Sequence, residues 1–593
     1  MTELQNKTYT IKIGTDDFKK LITESTLYVD KTILLKTIIE DAYDVLLITR
    51  PRRWGKTLNM TMLQYFFGIP VKSNGEIDDE EHSKKRHIFA QLKIGERLDI
   101  IEGHCGKYPV IFISFKDTKA KTFKEMQENI ADLLQELYKA HRYLLESPEL
   151  DDIDKDEFKN YIRGPLTTPM ILKSLKTLSH FLFKHFGQKV FILIDEYDTP
   201  LNDWYALQLA RDTFSVQEET YFQDVLELFK GIFGKALKGN DYLEKGVVTG
   251  ILRVAKASLF SGLNNFGEDS ILDEDYAEHF GFTEEEVNTL LHKSNIDKNP
   301  ETALALKSWY NGYNIGGLTI YNPWSIMNCI QNRGKFKAYW VGTASTALIE
   351  QALILDKFQE EIQTLIEGES VDMIADPKMV FADIKSSPNA LYNLLLFSGY
   401  LTVERSIEND DTTYNCEVKI PNREVRSVFS GSLQKWIAQK FNIDVNDYNA
   451  FLNDLLKGNV DAFTQKLKDY LETSASFFAT GPKNSELFYN GFIMGLVSSV
   501  SSQYFVDAER ESGVGRADLL LIPKPLARYQ NALVLEFKFG KLETDLHLLA
   551  QKALEQIELK NYAAQIKSYK NVESTFKVGI AFGGKDVEVA FKE

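Results

Sequence analysis

Four short apolar runs separated by helical stretches constrain this chain more than any other feature. "DVLLIT" (44–49), "YPVIFISF" (108–115), "KVFILIDE" (189–196) and "KGVVTGIL" (245–252) are rich in β-branched residues and lack polar alternation. Strands read this way when both faces are buried, so residues from about 10 to 270 predict an α/β domain whose parallel sheet is covered by helices. A polar, acidic interruption at 144–165 reads as a surface insertion. From 271 to 475 the pattern is mostly helical, and beyond it strands return as "GRADLLLI" (515–522), "ALVLEFKF" (532–539) and "FKVGIAFG" (576–583). With 593 residues there is room for roughly three or four domains. The expected division is 1–270, a lid-like helical region 271–345, a helical middle portion 346–474, and a C-terminal α/β domain 475–593. No period of 20 to 50 residues recurs, which sets solenoids and propellers aside.

The first run feeds "RPRRWGKT" (50–57) and then "LNMTMLQYFF", whose apolar residues fall at helical spacing. Strand, loop and helix in that order are the setting of a phosphate loop, where helix N-terminal amides face phosphate. Gly55 lets the backbone come close, Lys56 would reach the β/γ-phosphates, and Thr57 would give a hydroxyl to magnesium. The general pattern G-x-x-x-x-G-K-[ST] puts a glycine where this chain has Arg50. That departure leaves open a plain basic turn, and Pro51 offers a different approach to the loop.

The third run ends in Asp195 and Glu196, the layout in which a buried strand delivers one acid to magnesium and a second to the attacking water. Its place downstream of the loop, with one strand between, matches ATPases whose loop strand and acid strand are separated by another strand. Thr249, on the next strand, is a candidate polar sensor. Arg253 and Lys256 follow it as phosphate-sensing cations or, in the plainer reading, solvated helix charges.

Near the C-terminus Asp518 lies in a strand, and "LEFKFG" presents Glu536 and Lys538. Residues i and i+2 share a strand face, so both meet Asp518 at one end of a hairpin. Two carboxylates hold a divalent metal through oxygen, and a lysine orients the water that attacks a phosphodiester. Glu486 would complete the site as a further acid, and the next helix brings Gln556 and Tyr562. The competing reading is a half-buried strand with one charged face.

"YVDKT" (28–32), "RPRRWGKT", "LIDEYDTPL" (193–201) and "TGILRVAKASLFSGLNN" (249–265) resemble the AAA-ATPase-like family of bacterial proteins. "ESGVGRADLLLIP", "LEFKF" and "ALEQIELKNYA" (553–563) resemble the PD-(D/E)XK nuclease module that usually closes them. In that family the loop commonly reads R-P-R-R-[FW]-G-K-[ST], so Arg50 follows the family's own variant. Arg53, Gly55, Thr249 and Arg253 are candidate nucleotide-binding residues, and the resemblance adds Lys56 and Thr57 as the nucleotide-binding pair and Asp195 as the magnesium acid. It implies water activation by Glu196, and catalysis by Asp518, Glu536 and Lys538. Metal would be held by Thr57 and Asp195 in one domain and by Asp518 and Glu536 in the other, with Glu486, from its place before the hairpin, as the further candidate ligand. The expected fold class is α/β: a P-loop NTPase with a parallel sheet, a helical middle region and a C-terminal PD-(D/E)XK nuclease-like domain. The expected cofactors are ATP and Mg2+, with Mn2+ as a substitute.

The net charge of -16 and pI near 5.3 suit a cytoplasmic protein and disfavour coating of nucleic acid by bulk charge. Residues 475–593 carry 14 Lys+Arg against 14 Asp+Glu, so the C-terminal module tolerates a polyanion better than the rest. The expected partner is nucleic acid, DNA ahead of RNA, with no membrane and with homo-oligomerisation open. Cys105, Cys329 and Cys416 are far apart, against a disulfide framework or a structural zinc site. "GFIMGLVSSVSSQYFV" (491–506), too short and serine-rich to span a membrane, reads as a buried helix entering a strand. "SWYNGYNIGG" and "IYNPWSI" read as an aromatic hairpin packing a small core. Histidine metal motifs and a G-x-S-x-G elbow are absent. A nucleotide switch or scaffold whose nuclease-like domain binds without cutting is the alternative; a P-loop phosphotransferase has no use for the C-terminal module.

Overall fold

The computed structural model describes the chain except residues 1–8, 202–215, 253–264, 297–299, 341–346, 354–355, 378–387, 411, 441–444, 474–495, 497–499, 501–502, 511–516, 541–543, 561–565, 567–568 and 584–585. It divides into two compact units, 1–351 with 370–425, and 352–369 with 426–593.

In the first unit, β1 (Val45–Thr49), β2 (Val110–Ser114), β3 (Val190–Asp195), β4 (Leu243–Gly250) and β5 (Phe266–Asp269) form a five-stranded sheet in the order β2-β3-β4-β1-β5. Every pair in it is parallel. β1 and β3 are buried along their whole length, as their unbroken apolar sequence requires. The helix Lys56–Phe67 follows β1 and turns Met60, Leu63, Phe66 and Phe67 inward. The Phe67 ring stacks on Phe191 of β3 at 4.2 Å, and each such side chain contributes roughly 1.5–3 kcal/mol of burial. The stretch 144–165 is more than surface. Its helix Asp152–Arg163 opens with a capping box between Asp151 and Asp154 and buries Phe158 and Tyr161, and Tyr161 stacks on Tyr138 at 4.2 Å. The acids that mark it as polar face outward except Asp154, which is buried and pairs with Lys184 at 2.5 Å.

The middle portion carries helices and also strands. β6 (Tyr313–Ile315) and β7 (Leu318–Ile320) form an antiparallel hairpin. β8 (Val371–Ala375), β9 (Thr402–Glu408) and β10 (Tyr414–Lys419) form a small antiparallel sheet in the order β8-β10-β9. The stretch "ALYNLLLFSGYLTV" becomes the helix Pro388–Phe397 and then enters β9. Tyr310, Tyr321, Ile326, Cys329 and Ile330 share one core cluster beside the hairpin.

In the second unit, β11 (Tyr504–Arg510), β12 (Ala517–Pro523), β13 (Asn531–Phe539), β14 (Ser574–Gly583) and β15 (Asp586–Lys592) form a mixed sheet in sequence order. Only β13 and β14 pair in parallel, and the helix Leu546–Lys560 lies between them in the chain. It packs on the sheet through Ala550, Leu554 and Ile557 against Ala532 and Val534. Gly579 permits this approach, since a Cβ there would lie 2.4 Å from the Ala550 carbonyl oxygen. Most of 491–506 lies outside the described residues, and β11 takes up its end. Cys105, Cys329 and Cys416 are free and buried. Among the described residues no helix is long and apolar enough to cross a membrane.

Candidate functional site

Parallel strands in register bring their C-terminal ends to one edge, where open α/β sheets bind ligands. Ser114 of β2 pairs with Asp195 of β3, and Thr49 of β1 with Gly250 of β4. Asp195, fully buried, sits at the centre. Its Oδ1 accepts the Thr249 hydroxyl at 2.8 Å, and its Oδ2 accepts Thr57 at 2.9 Å and Ser114 at 3.2 Å. Thr57 thus joins the phosphate-loop helix to the acid strand. Its hydroxyl and the Asp195 carboxylate are the hard oxygen donors that magnesium takes. A cleft of about 1040 Å³ opens beside Thr57 and Ser114.

The loop itself has an unexpected course. The Arg50 N–H donates to the Gly250 carbonyl at 3.1 Å, so strand pairing runs one residue past Thr49. The left-handed conformations fall later, at Arg53 (φ 67) and Gly55 (φ 82). A Cβ on Gly55 would meet nothing within 4 Å, which leaves that side open to an approaching phosphate. Lys56 Nζ donates to the carbonyls of Arg50 and Pro51, both at 2.9 Å. Burial lowers the Lys56 pKa, with Glu196, Asp198 and Asp195 acting in the opposite direction. Arg50 is fully buried: it forms an ion pair with Asp269 of β5 at 2.5 Å and donates to the Ser270 carbonyl at 2.8 Å. The Arg53 guanidinium lies 4.2 Å from the Trp324 ring centroid.

Glu196 follows Asp195 in a left-handed conformation (φ 50). Burial raises its carboxyl above the usual range, and the Lys56 ammonium pulls it the other way. The next two residues hold the end of β4. The Tyr197 hydroxyl donates to the Leu252 carbonyl at 2.8 Å. Asp198 Oδ2 accepts the N–H groups of Ile251 and Leu252 at 2.9 and 3.0 Å. Gly250 is required there, because a Cβ would lie 2.6 Å from the Tyr197 ring. Ser114, Tyr197 and Asp198 escape the sequence reading. The signal for Ser114 was present, since a hydroxyl closing an apolar run is the same feature that singles out Thr249. Arg253 and Lys256 lie outside the described residues.

In the second unit the antiparallel register sets Asp518 of β12 directly opposite Glu536 of β13. Glu536 and Lys538 continue the face of Ala532 and Val534, the face under the helix Leu546–Lys560. Glu536 is fully buried, and its carboxylate oxygens accept no hydrogen bond among the described residues. Lys538 Nζ lies 3.6 Å from Glu536 Oε1 and donates to Gln556 Oε1 at 2.6 Å. Two buried carboxylate oxygens that accept no hydrogen bond, with only the more distant Lys538 ammonium beside one of them, suit a bound cation. Glu486 and Tyr562 lie outside the described residues.

A parallel sheet with a second strand between loop strand and acid strand, a G-K-T helix start and a Thr-braced acid define a P-loop ATPase-like domain. The C-terminal sheet, with acid opposite E-x-K, is of nuclease type. Comparison with known families agrees: residues 12–260 match the model described as "Predicted AAA-ATPase", and residues 484–592 match the PD-(D/E)XK nuclease superfamily. The protein carries an AAA-ATPase-like domain and a C-terminal PD-(D/E)XK nuclease superfamily domain. It is 24% identical over 571 residues to "Uncharacterized protein in vnfD 5'region" of Azotobacter chroococcum mcd 1, with 94% of each chain covered. No solved structure matches it significantly.

Proposed function

We propose that the N-terminal domain binds and hydrolyses magnesium-ATP, and that the C-terminal domain is a metal-dependent nuclease whose access to nucleic acid, DNA ahead of RNA, changes with the nucleotide. The observation that carries the ATPase half is the three-hydroxyl brace on Asp195, which ties the loop helix, the acid strand and β4 into one preorganised centre. Lys56 would leave its carbonyl partners for the β/γ-phosphates, and Thr57 and Asp195 would hold magnesium. Water attacks the γ-phosphorus, the bond to the bridging oxygen breaks, and Glu196 takes the proton. Its raised pKa makes it a better base than a solvated carboxylate.

The nuclease half rests on Asp518 opposite Glu536, with Lys538 fixed by Gln556. Asp518 and Glu536 would hold a divalent metal, which when bound would offset the negative charge that develops on the phosphodiester. Lys538 would orient the attacking water. The experiment is purified protein with ATP and magnesium or manganese, assayed for ATP hydrolysis and for cleavage of single- and double-stranded DNA and RNA. Lys56→Ala is expected to abolish hydrolysis, and Lys538→Ala to abolish cleavage. Cleavage that persists in Lys538→Ala defeats the assignment of these residues, and cleavage absent with every polymer and metal defeats the nuclease reading and leaves a domain that binds without cutting.

A further inference from the structure

A phosphate loop that lacks its first glycine needs another source of rigidity, and every residue from Arg50 to Trp54 is held by a residue beyond position 260. Arg50 pairs with Asp269. Pro51 packs on Gly399, where a Cβ would lie 2.9 Å from the Pro51 Cβ. The Arg52 carbonyl accepts the Trp340 indole N–H at 3.2 Å. Arg53 lies over the Trp324 ring, and Trp54 meets Tyr313 edge-on at 4.9 Å. Trp340 is itself fixed. Its backbone N–H donates to Glu424 Oε1 at 2.6 Å, Ser325 donates to Glu424 Oε2 at 2.6 Å, and its ring meets Tyr400 at 5.1 Å. Glu424 and Trp340 are both buried.

We infer that Asp269 and Trp340 are positioning residues of the nucleotide site, acting through the loop they hold. Between them they fix the Arg50–Arg52 backbone, whose carbonyls at Arg50 and Pro51 seat the Lys56 ammonium. The middle portion of the chain is therefore part of the ATP site, although the matched ATPase domain ends before Asp269 begins its contribution. Arg50 is not a tolerated defect but the anchor that replaces the glycine's turn. This rests on reading the loop as a nucleotide site.

The test uses the full chain with magnesium-ATP as the probe. Affinity is measured by calorimetry. Trp340→Phe keeps the ring against Tyr400 and removes one hydrogen bond to the loop. Its Kd is expected to rise about 3- to 10-fold, with the melting curve of the wild type. Arg50→Gly restores the general G-x-x-x-x-G-K-T pattern, yet its Kd is expected to rise by about 10-fold or more, and Arg50→Lys, which keeps the cation, to recover part of the loss. Ile153→Ala, at an exposed position of the helix Asp152–Arg163, is the unchanged control. The inference is overturned if Trp340→Phe binds within about twofold of the wild type, or if Arg50→Gly binds as tightly as the wild type or more so. Should Arg50→Gly fail to fold, Trp340→Phe decides alone. A wild type that binds no magnesium-ATP overturns the nucleotide reading, and this inference falls with it; normal wild-type binding with unaffected variants overturns this inference only.

Discussion

The buried pair of Arg50 and Asp269 predicts that the first unit loses stability as pH rises from about 4 to 6, the interval over which Asp269 ionises. Asp269 is 5% exposed. Burial raises its carboxyl from 3.8 to about 6, even though the Arg50 guanidinium pulls it down. Desolvation outweighs the ion pair, as buried pairs often show. Because the folded pKa lies above the unfolded one, the folded protein retains a proton that the unfolded chain releases. The stability this contributes is complete below the unfolded value and is lost as pH climbs through the folded value. A carboxyl raised that far holds its proton more tightly in the fold by about 3 kcal/mol. Asp269→Asn removes the titration and keeps an oxygen acceptor for Arg50. Unfolding free energies from urea melts of both proteins, taken at intervals from about pH 4 to 7, isolate the group in their difference. The variant is expected to gain about 2.4 kcal/mol on the wild type across that range, most of it below pH 6. A difference that stays flat within about 0.5 kcal/mol refutes the argument that Asp269 is protonated more readily in the fold than out of it.

Two further substitutions probe the two sheets. Thr249→Val keeps the shape of a β-branched strand residue but deprives buried Asp195 of one of its three hydroxyl donors; it should cost about 1.5–3 kcal/mol in a urea melt, and it should lower kcat for ATP hydrolysis more than it changes KM. Gly579→Ala places a Cβ against the backbone of Ala550 and Leu554, so it should destabilise the second unit by about 1–3 kcal/mol and slow cleavage by displacing Gln556 from Lys538. Wild-type stability in Thr249→Val would show that Asp195 does not depend on that donor, and in Gly579→Ala that the backbone of the neighbouring helix yields more easily than its packing indicates.

Much of the fold is legible because its strongest signals are local. The runs at 44–49, 108–115, 189–196 and 245–252 become β1 to β4, since a strand buried on both faces writes itself as unbroken β-branched sequence. β5 could not be read that way. "FGED" has one large apolar residue and two acids, and it is a strand because β1 offers it a free edge. The residues of the sites divide similarly. Asp195, Thr57 and Thr249 stand at positions fixed by strand ends and a helix start. The partners of "RPRRW" are scattered from 269 to 399, and no local pattern links them to the loop. The aromatic hairpin is legible only in part: it does border a small core, but Tyr313 also turns to meet Trp54.

The missing glycine follows from where the chain turns. A glycine is needed where the backbone must enter a conformation that costs an L-residue about 1–2 kcal/mol. At Arg50 there is no such demand, because its N–H still pairs with Gly250 as a strand residue does. The demand is deferred to Gly55, which meets it freely, and to Arg53, which does not. Arg53 recovers a comparable amount from the Trp324 ring, a cation over an aromatic face being worth about 0.5–2 kcal/mol. Position 50 is thereby released from conformational duty and can hold an arginine aimed into the sheet at Asp269. The same shift explains why the tryptophan and both later arginines are placed as they are. A loop that turns late exposes five consecutive residues to the region beyond residue 260, and each of them finds a partner there.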